Sequence, residues 1–493
     1  MDTPNTTGAP SHGESADTAL SARDRTVIAL LLVSAFVVIL NETIMSVAIP
    51  HLMADLGVTA SAAQWLTTAF LLTMATVIPI SGYLIQRFNT RPLFMTAMSL
   101  FSLGTLICAV SPGIELLVVG RVVQASGTAI MMPLLMTTVM NLVPPSRRGL
   151  VMGNISIVIS VAPAIGPTVS GFILNALDWR WMFWLVLPIA LASLALGAAR
   201  IQNVTTPRYA PLDLISIPLA ALGFGGLVYG LSAFGEGGGE SVIPVWVPLV
   251  VGVVALIAFL LRQRALQAKD AALLDLRTFG SRTFSVALFI MAISMMAMFG
   301  IIILLPIYTQ SVLGMDALAT GLMLLPGGLV MGVMAPFVGR LYDRVGPTPL
   351  VIPGSILVSA VLWALTQVGE GTPLPFLIAG HIALSIGLSL MFTPLFSSSL
   401  GSLPRHLYSH GSAMLSTLQQ VAGAAGIALY VAIMTMTTAA IAGPGVTELE
   451  ALTGGLRTAF TVGASISLLA VVGAFLIRKP EGSGPEGAPV GAH

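Results

Sequence analysis

The sequence contains few charged residues. Of its 493 residues, 8% are Asp, Glu, Lys or Arg, against about 25% in soluble globular proteins. Hydrophobic residues make up 56% of the chain and the mean hydropathy is +0.95, which excludes a soluble globular protein. The formal net charge of +1 gives no indication of nucleic-acid binding, because such proteins usually carry a large positive charge.

Cysteine and the motifs of soluble enzymes are also nearly absent. Cys108 is the one cysteine and lies in an apolar run, so no disulfide within the chain is expected. The sequence has no P-loop Gly-Lys-Ser/Thr, no cluster of metal ligands and no nucleophile elbow. We therefore expect a protein that is not an enzyme, binds no cofactor or metal, and is driven by an ion gradient rather than by ATP.

Apolar runs long enough to cross a bilayer, about 20 residues each, occupy most of the chain. Alternating ten-residue segments typical of a membrane barrel are not seen, so the fold class is an all-α polytopic membrane protein. We predict fourteen helices, at residues 26–50, 64–86, 92–111, 113–141, 148–177, 179–201, 212–234, 243–264, 283–312, 317–343, 348–368, 373–400, 410–436 and 454–478.

A sequence repeat indicates how these helices are organised. "GYLIQRFNTR", Gly82 to Arg91, and "GRLYDRVGPT", Gly339 to Thr348, place Gly, Leu and Arg in the same register at a turn. Two related halves around a central site are typical of secondary transporters. The predicted domains are a disordered tail (1–25), a six-helix half (26–201), two inserted helices (202–264), a linker (265–282), a second six-helix half (283–478) and a tail (479–493).

The distribution of Lys and Arg predicts the orientation in the membrane. With the N-terminus inside, 18 of the 21 basic residues fall on the inner face. Arg180 and Arg457 lie on the outer face, and Arg121 lies inside the fourth helix. We therefore expect a multi-pass protein of the cytoplasmic (inner) membrane, with the linker, both tails and both termini in the cytoplasm.

Four motifs occur in order along the chain. "LNETIMSVAIP", Leu40 to Pro50, lies in the first helix and "GRVVQASGTAIMMP", Gly120 to Pro133, in the fourth. "APAIGPTVSG", Ala162 to Gly171, lies in the fifth helix and is followed by "WRWMFW", Trp179 to Trp184. Over residues 26–478 the sequence resembles the fourteen-helix drug:proton antiporters of the major facilitator superfamily, and lincomycin-resistance-type exporters most of all.

The resemblance implies the major facilitator fold and export of amphipathic drugs or antibiotics in exchange for protons. It also implies gating or conformational roles for residues of the repeated turns and of the fifth helix: Gly82, Arg87, Arg91, Gly166, Pro167, Gly171, Gly339, Asp343 and Arg344. The chain departs from the family pattern in the first turn, where Gln86 replaces Asp and Asn89 replaces Gly. The second turn keeps Asp343, so we expect it to carry more of the conformational coupling.

Another departure concerns the first helix, where the family's usual Asp is Asn41 and a carboxylate follows at Glu42, about 100° further around the helix. Glu42 is the one carboxylate well inside a predicted helix. Glu42 lies eight residues before Pro50 and Arg121 eight residues after Gly113, so both are expected about 12 Å below the outer surface.

Two roles are open for Glu42 and Arg121: a static pair between helices, or a carboxylate that exchanges a proton during transport and is tuned by Arg121. We favour proton coupling, because a structural contact needs no charge. Other polar residues inside helices are candidates for the substrate cavity: Asn41, Gln124, His381, Gln419 and Gln420.

Other functions stay open. The same motifs fit an exporter of an endogenous lipid, peptide or siderophore. A membrane scaffold or receptor on the same fold would carry no flux, and an uptake symporter is disfavoured by the fifth-helix motif. The expected partners are therefore a small amphipathic substrate, protons and the lipid bilayer, with no nucleic acid.

Overall fold

The computed structural model describes residues 21–58, 60–204, 207, 211–235, 244 and 246–477. All regular secondary structure in these described residues is helical. The α-helices are α1 (Ala22–Leu56), α2 (Ala60–Arg87), α3 (Thr90–Ala109), α4 (Ile114–Leu142), α5 (Arg148–Ala176), α6 (Trp181–Arg200), α7 (Ser216–Ala220), α8 (Gly226–Gly235), α9 (Trp246–Gln267), α10 (Arg282–Ile307), α11 (Ala317–Val345), α12 (Thr348–Leu365), α13 (Leu374–Gly401), α14 (Tyr408–Ile441) and α15 (Glu448–Ala474).

Thirteen of the described helical segments are long and apolar enough to cross a membrane. A fourteenth apolar segment, Ser216–Leu231, is shorter. It combines α7 and α8 through the π-helical turn Ala221–Gly225 and corresponds to the predicted helix 212–234. The all-α polytopic fold class is thus confirmed, and fourteen apolar segments lie where the sequence predicts them.

Several helix ends differ from the prediction. α1 begins at Ala22, where the Ser21 side chain accepts a hydrogen bond from the Asp24 N–H, and it continues past Pro50 to Leu56. α15 begins at Glu448, earlier than predicted, because Thr447 and Glu450 form a capping box there. Residues 1–20 and 478–493, which hold most of the two predicted tails, lie outside the described residues.

Small residues let the helices within each half approach closely, as is usual in membranes. Gly104 of α3 faces α4, and a Cβ there would lie 2.4 Å from the Gln124 nitrogen. Gly127 of α4 faces α3, and a Cβ there would lie 2.2 Å from the Ala97 oxygen. Neither position accepts a larger side chain without movement of backbone.

The inserted helices pack at the junction of the two halves. Gly226 of α8 and Gly252 of α9 bring these helices together, with a Cβ on Gly226 only 2.9 Å from the Gly252 Cα. On its other side α8 contributes Val228 to an apolar cluster with Ala75 of α2 and Ala424 of α14. The inserted pair therefore contacts one helix from each half.

Polar contacts hold the other end of the inserted pair. Arg262 of α9 donates two hydrogen bonds of 2.6 Å to the Asp213 carboxylate. These hydrogen bonds from Arg262 lower the pKa of Asp213 to about 2. Gln263, which is fully buried, accepts from the Leu273 N–H at 2.7 Å, and the Leu273 oxygen lies 3.1 Å from His410 Nδ1 of α14. The linker after α9 thus connects the inserted pair to α14.

Candidate functional site

Arg121 lies in the interior of the first half, on α4, with 2% of its surface exposed. Its Nη1 donates to the Gln124 Oε1 at 2.7 Å and lies 3.5 Å from the Asn41 Oδ1. Its Nε lies 3.5 Å from the Leu66 carbonyl oxygen, and its guanidinium carbon lies 4.0 Å from the centre of the Phe70 ring. The cation is therefore surrounded by neutral oxygens and an aromatic face from α1, α2 and α4.

Gln124 is oriented from two sides. It lies three residues after Arg121 on α4, a spacing that puts the two side chains on one face of the helix. Its Nε2 donates to the Thr105 Oγ1 of α3 at 2.8 Å, and that hydroxyl donates to the Phe101 oxygen at 2.7 Å. A continuous chain of hydrogen bonds therefore fixes which atom of the Gln124 amide faces Arg121.

Glu42 occupies a different environment from its neighbour Asn41. Asn41 is 2% exposed, whereas Glu42 is half-buried, consistent with the turn of about 100° between consecutive residues. No ion pair within 4 Å joins Glu42 and Arg121, although the two charges are close enough to influence each other. The static salt bridge considered from sequence is therefore absent from this conformation.

The predicted depth match between Glu42 and Arg121 rested on a helix end at Pro50, which the structure places instead at Leu56. The two residues nevertheless lie at one level, because Asn41 beside Glu42 reaches Arg121 directly.

Asn41 and Gln124 are two of the residues that the sequence predicts to line the substrate cavity. In this conformation both are buried and contact Arg121, and their role in the cavity stays a prediction.

The fifth-helix motif contacts α1 next to Glu42. The Thr43 Oγ1 lies 3.5 Å from the Ala162 oxygen of α5. A Cβ on Gly166 would lie 2.3 Å from the same Thr43 hydroxyl, so only glycine allows this approach. Gly171 has no atom within 4 Å of an added Cβ. Pro167 lies within α5, and its side chain lies outside what the structure describes.

The candidates of the second half lie apart from Arg121. A Cβ on Gly327 of α11 would lie 2.3 Å from the His381 ring of α13, and the His381 Nδ1 is buried without a partner among the described residues. On α14, Gln419 and Gln420 are half-buried, and the Gln419 Nε2 also lacks a described partner. Neither His381 nor the two glutamines hydrogen-bond to the Arg121 group.

The two repeated turns form different contacts between the halves. Asp343, at the end of α11, accepts from the Gly149 N–H at 2.7 Å and from the Leu150 N–H at 3.0 Å. These are free N–H groups in the first turn of α5, where a negative charge is favourable. Gln86, at the corresponding position of α2, donates to the His406 oxygen at 2.9 Å. The substitution of Asp by Gln thus leaves a neutral contact in the first turn.

Glycines bring the helices together at both turns. A Cβ on Gly339 of α11 would lie 2.1 Å from the Gly149 oxygen of α5. A Cβ on Gly82 of α2 would lie 3.1 Å from the Ala413 Cβ of α14. Arg91 binds within its own half, donating to the Ala198 oxygen at 2.7 Å.

The basic residues of the turns lie in different environments. Arg344 of the second turn is exposed. Arg87 lies in the last turn of α2. Gly82, Gly339, Gln86 and Asp343 are thus among the residues that bring the two halves together at this end.

The halves are joined at one end of the bundle. We call the end formed by residues 88–89, 143–147, 346–347 and 402–407 the basic end. Five hydrogen bonds between the first half (α1–α6) and the second half (α10–α15) lie towards it. At the opposite end, Trp179 binds Asp55 and Tyr308 binds the Gly369 oxygen, each within one half. The two halves therefore meet at the basic end, which is closed in this structure.

Comparison with known proteins agrees with this architecture. Residues 31–427 match the family model "Major Facilitator Superfamily". The chain is 40% identical over 455 residues to the uncharacterized MFS-type transporter YcnB of Bacillus subtilis, covering 92% of this chain and 95% of that protein. It is 40% identical over 457 residues to the lincomycin resistance protein LmrB of Bacillus subtilis, covering 91% and 95% respectively.

The crystal structure of the human organic anion transporter MFSD10 has the same fold. It matches with a TM-score of 0.66 and 16% identity, covering 93% of this chain and all of that one. At this identity the match supports the fold alone. From the family match, the two relatives and the helical architecture, the chain belongs to the major facilitator superfamily, whose members are multi-pass membrane transporters and not enzymes.

Proposed function

We propose that this protein is a proton-coupled antiporter that exports amphipathic drugs or antibiotics across the cytoplasmic membrane. Glu42 carries the proton, and the Arg121 group tunes the affinity of its carboxylate for protons. The observation that carries this proposal is the difference between two neighbours: Asn41 contacts the buried cation, whereas Glu42 is half-buried and unpaired with Arg121.

The arrangement supports an exchanging carboxylate better than a static pair. The shortest hydrogen bond of Arg121 goes to the neutral Gln124 amide, so the cation does not need Glu42 as a partner. A carboxylate inside a membrane costs several kcal/mol when ionised and unpaired, and a cation at short range reduces that cost. Glu42 can thus be neutral or charged without breaking the hydrogen bonds around Arg121.

The contact between α5 and α1 suggests how the proton and the conformation are linked. Thr43, next to Glu42, fills the space left by Gly166 and approaches the Ala162 oxygen. α5 also carries Gly149, which binds Asp343 of the second half. A shift of α1 on protonation of Glu42 would therefore be transmitted along α5 to the contact that closes the basic end.

The energy of a proton gradient is sufficient for this function. A membrane potential of about 100 mV supplies roughly 2.3 kcal/mol per charge, and one pH unit adds about 1.4 kcal/mol. One proton entering per neutral substrate exported could then maintain a substrate gradient of about 500-fold. The substrate class is supported by the 40% identity to a protein whose name records lincomycin resistance.

Substrate efflux from cells that express the protein tests the proposal. A fluorescent amphipathic cation and a lincosamide should accumulate less in these cells than in cells without it, and a protonophore should abolish the difference. Purified protein in liposomes should then export the same compounds only under an imposed pH gradient. Efflux that persists without any proton gradient would exclude proton coupling.

The orientation is a separate part of the proposal. The basic residues on alternate loops support a cytoplasmic location for both termini. Reporter fusions to the two ends should both be active in the cytoplasm. Ends on opposite sides of the membrane would contradict the fourteen crossings.

A further inference from the structure

Two hydroxyl pairs join the halves near the basic end. Thr137 of α4 donates to Ser412 of α14 at 3.0 Å, and Thr393 of α13 donates to Ser156 of α5 at 2.9 Å. α4 and α13 are the fourth helices of their halves, and α5 and α14 are the fifth. Each pair thus joins the fourth helix of one half to the fifth helix of the other.

Beside these pairs lie hydroxyls without partners. Thr138 follows Thr137, Ser397 is one helical turn from Thr393, and Ser416 is one turn from Ser412. Their hydroxyl oxygens are buried and have no hydrogen-bond partner among the described residues, and the same is true of Thr417. All four residues are 4% exposed or less.

Paired and unpaired hydroxyls have opposite effects on a closed interface. A buried hydroxyl pair stabilises the state in which it forms. A buried hydroxyl without a partner destabilises that state, because water would solvate it once the interface opens. A serine hydroxyl that rotates to donate to a carbonyl of its own helix would remove this cost. The direction in which a Ser→Ala substitution shifts the balance between closed and open states therefore distinguishes a lone hydroxyl from one with a partner.

We propose that these hydroxyls set the balance between the closed and the open basic end. The Thr137–Ser412 and Thr393–Ser156 pairs favour closure. Ser397 and Ser416, each one turn from a paired residue on the same helix face, favour opening. The closed state is thereby kept from becoming too stable for the halves to part. The proposal concerns the separation of the halves and does not depend on the proton carrier or on the substrate.

Two serines on α14 provide a matched comparison. Ser412 is paired and Ser416 is unpaired, one turn further along the same helix. A cysteine at position 413 can report opening of this interface.

Ala413 is fully buried, with its Cβ facing Gly82 of α2 across the interface. We would introduce Ala413→Cys in a Cys108→Ala background and reconstitute the full-length protein in nanodiscs. The alkylation rate of the reporter by a water-soluble maleimide is proportional to the open fraction when opening is fast relative to alkylation.

The two substitutions are expected to act in opposite directions. Ser416→Ala should lower the alkylation rate by about five-fold, and Ser412→Ala, which leaves the Thr137 hydroxyl unpaired, should raise it by about five-fold. The double variant Thr137→Val with Ser412→Ala should return within about two-fold of the parent, because both partners are then apolar. Thermal unfolding of each variant identifies any that fails to fold, and Ser397→Ala on α13 is a second unpaired site expected to behave like Ser416→Ala.

Rates that change in the same direction for Ser412→Ala and Ser416→Ala would overturn the proposal. Rates unchanged by Ser416→Ala and by Ser397→Ala would overturn it as well, since the lone hydroxyls would then have no energetic effect.

Discussion

The Arg121 guanidinium donates its shortest hydrogen bond, 2.7 Å, to the amide oxygen of Gln124. A buried cation that is held by a neutral amide stays in place whether or not a nearby carboxylate is ionised. A cation held by a carboxylate would lose its partner when that carboxylate is protonated. Thr105 orients that amide by accepting from its nitrogen at 2.8 Å. The charge of Arg121 is therefore fixed beside α1, where the proposed mechanism needs it for proton exchange at Glu42.

Replacing Gln124 with Met tests whether this amide keeps Arg121 away from Glu42. The change removes the 2.7 Å hydrogen bond at similar volume, so we expect Arg121 to turn toward Glu42 and to favour the ionised carboxylate. The pH of half-maximal transport should shift toward acid by about one unit. Arg121→Ala removes the cation and should shift it toward alkaline values. pH profiles of efflux in liposomes measure both, and shifts in the same direction would contradict this role of Gln124.

Glycine substitutions test the closure of the basic end. A Cβ on Gly339 would lie 2.1 Å from the Gly149 oxygen, whereas one on Gly171 would meet nothing within 4 Å. Gly339→Ala should lower transport about ten-fold or more, because α5 and α11 are forced apart by overpacking. Gly171→Ala should transport within about two-fold of the parent, although the family motif includes this glycine. Efflux per folded transporter is the measurement, and strong inhibition by Gly171→Ala would show that its role belongs to another conformation.

The two turns should contribute unequally to closure. Asp343 accepts two backbone N–H groups as a charged acceptor, and Gln86 makes one neutral hydrogen bond. Hydrogen bonds to charged groups contribute about twice as much as neutral ones, so Asp343→Asn should impair transport more than Gln86→Ala. Initial rates of efflux measure the difference. Equal impairment would show that the charge has no special effect at the second turn.

The Asp213–Arg262 pair should stabilise the inserted helices in a pH-dependent way. The hydrogen bonds from Arg262 lower the pKa of Asp213 to about 2. The stabilisation that the pair provides is therefore complete above the usual aspartate pKa of about 4 and is lost as the pH falls toward 2. Asp213→Asn should lower the melting temperature in detergent by a few degrees at pH 7. The difference from the parent should disappear near pH 2, and a difference that is constant with pH would exclude the ion pair as its cause.

The fold could be predicted from the sequence because each helix has its own signal. The length of each apolar run predicts a membrane-spanning helix. The basic residues on alternate loops predict on which side of the membrane each loop lies. The sequence predicts an α1 that ends at Pro50, because proline is typical of a helix end, whereas the helix continues to Leu56. The start of α15 was missed because the capping box of Thr447 and Glu450 lies before the apolar run.

The site was predicted only in part because its contacts join different helices. From the sequence, Arg121 is a candidate for proton coupling and Asn41 and Gln124 are candidates for the substrate cavity. No contact among them is predicted, although a spacing of three residues puts Arg121 and Gln124 on one face of α4. Thr105, which orients the amide, gave no signal, because a threonine in a membrane helix usually binds its own backbone. The paired hydroxyls near the basic end were missed for the same reason.

The central claim is that Glu42 carries the exchanged proton, and Glu42→Gln tests it most directly. Glutamine keeps nearly the same volume and hydrogen-bonding capacity but cannot release a proton. Glu115→Gln is the control, because Glu115 is an exposed carboxylate in the first turn of α4. The measurement is efflux driven by a pH gradient in liposomes, normalised to folded protein, together with binding of the same substrate in detergent. We predict that Glu42→Gln abolishes proton-driven efflux and retains substrate binding, while Glu115→Gln behaves like the parent. Proton-driven efflux at the parental rate by Glu42→Gln would contradict the account.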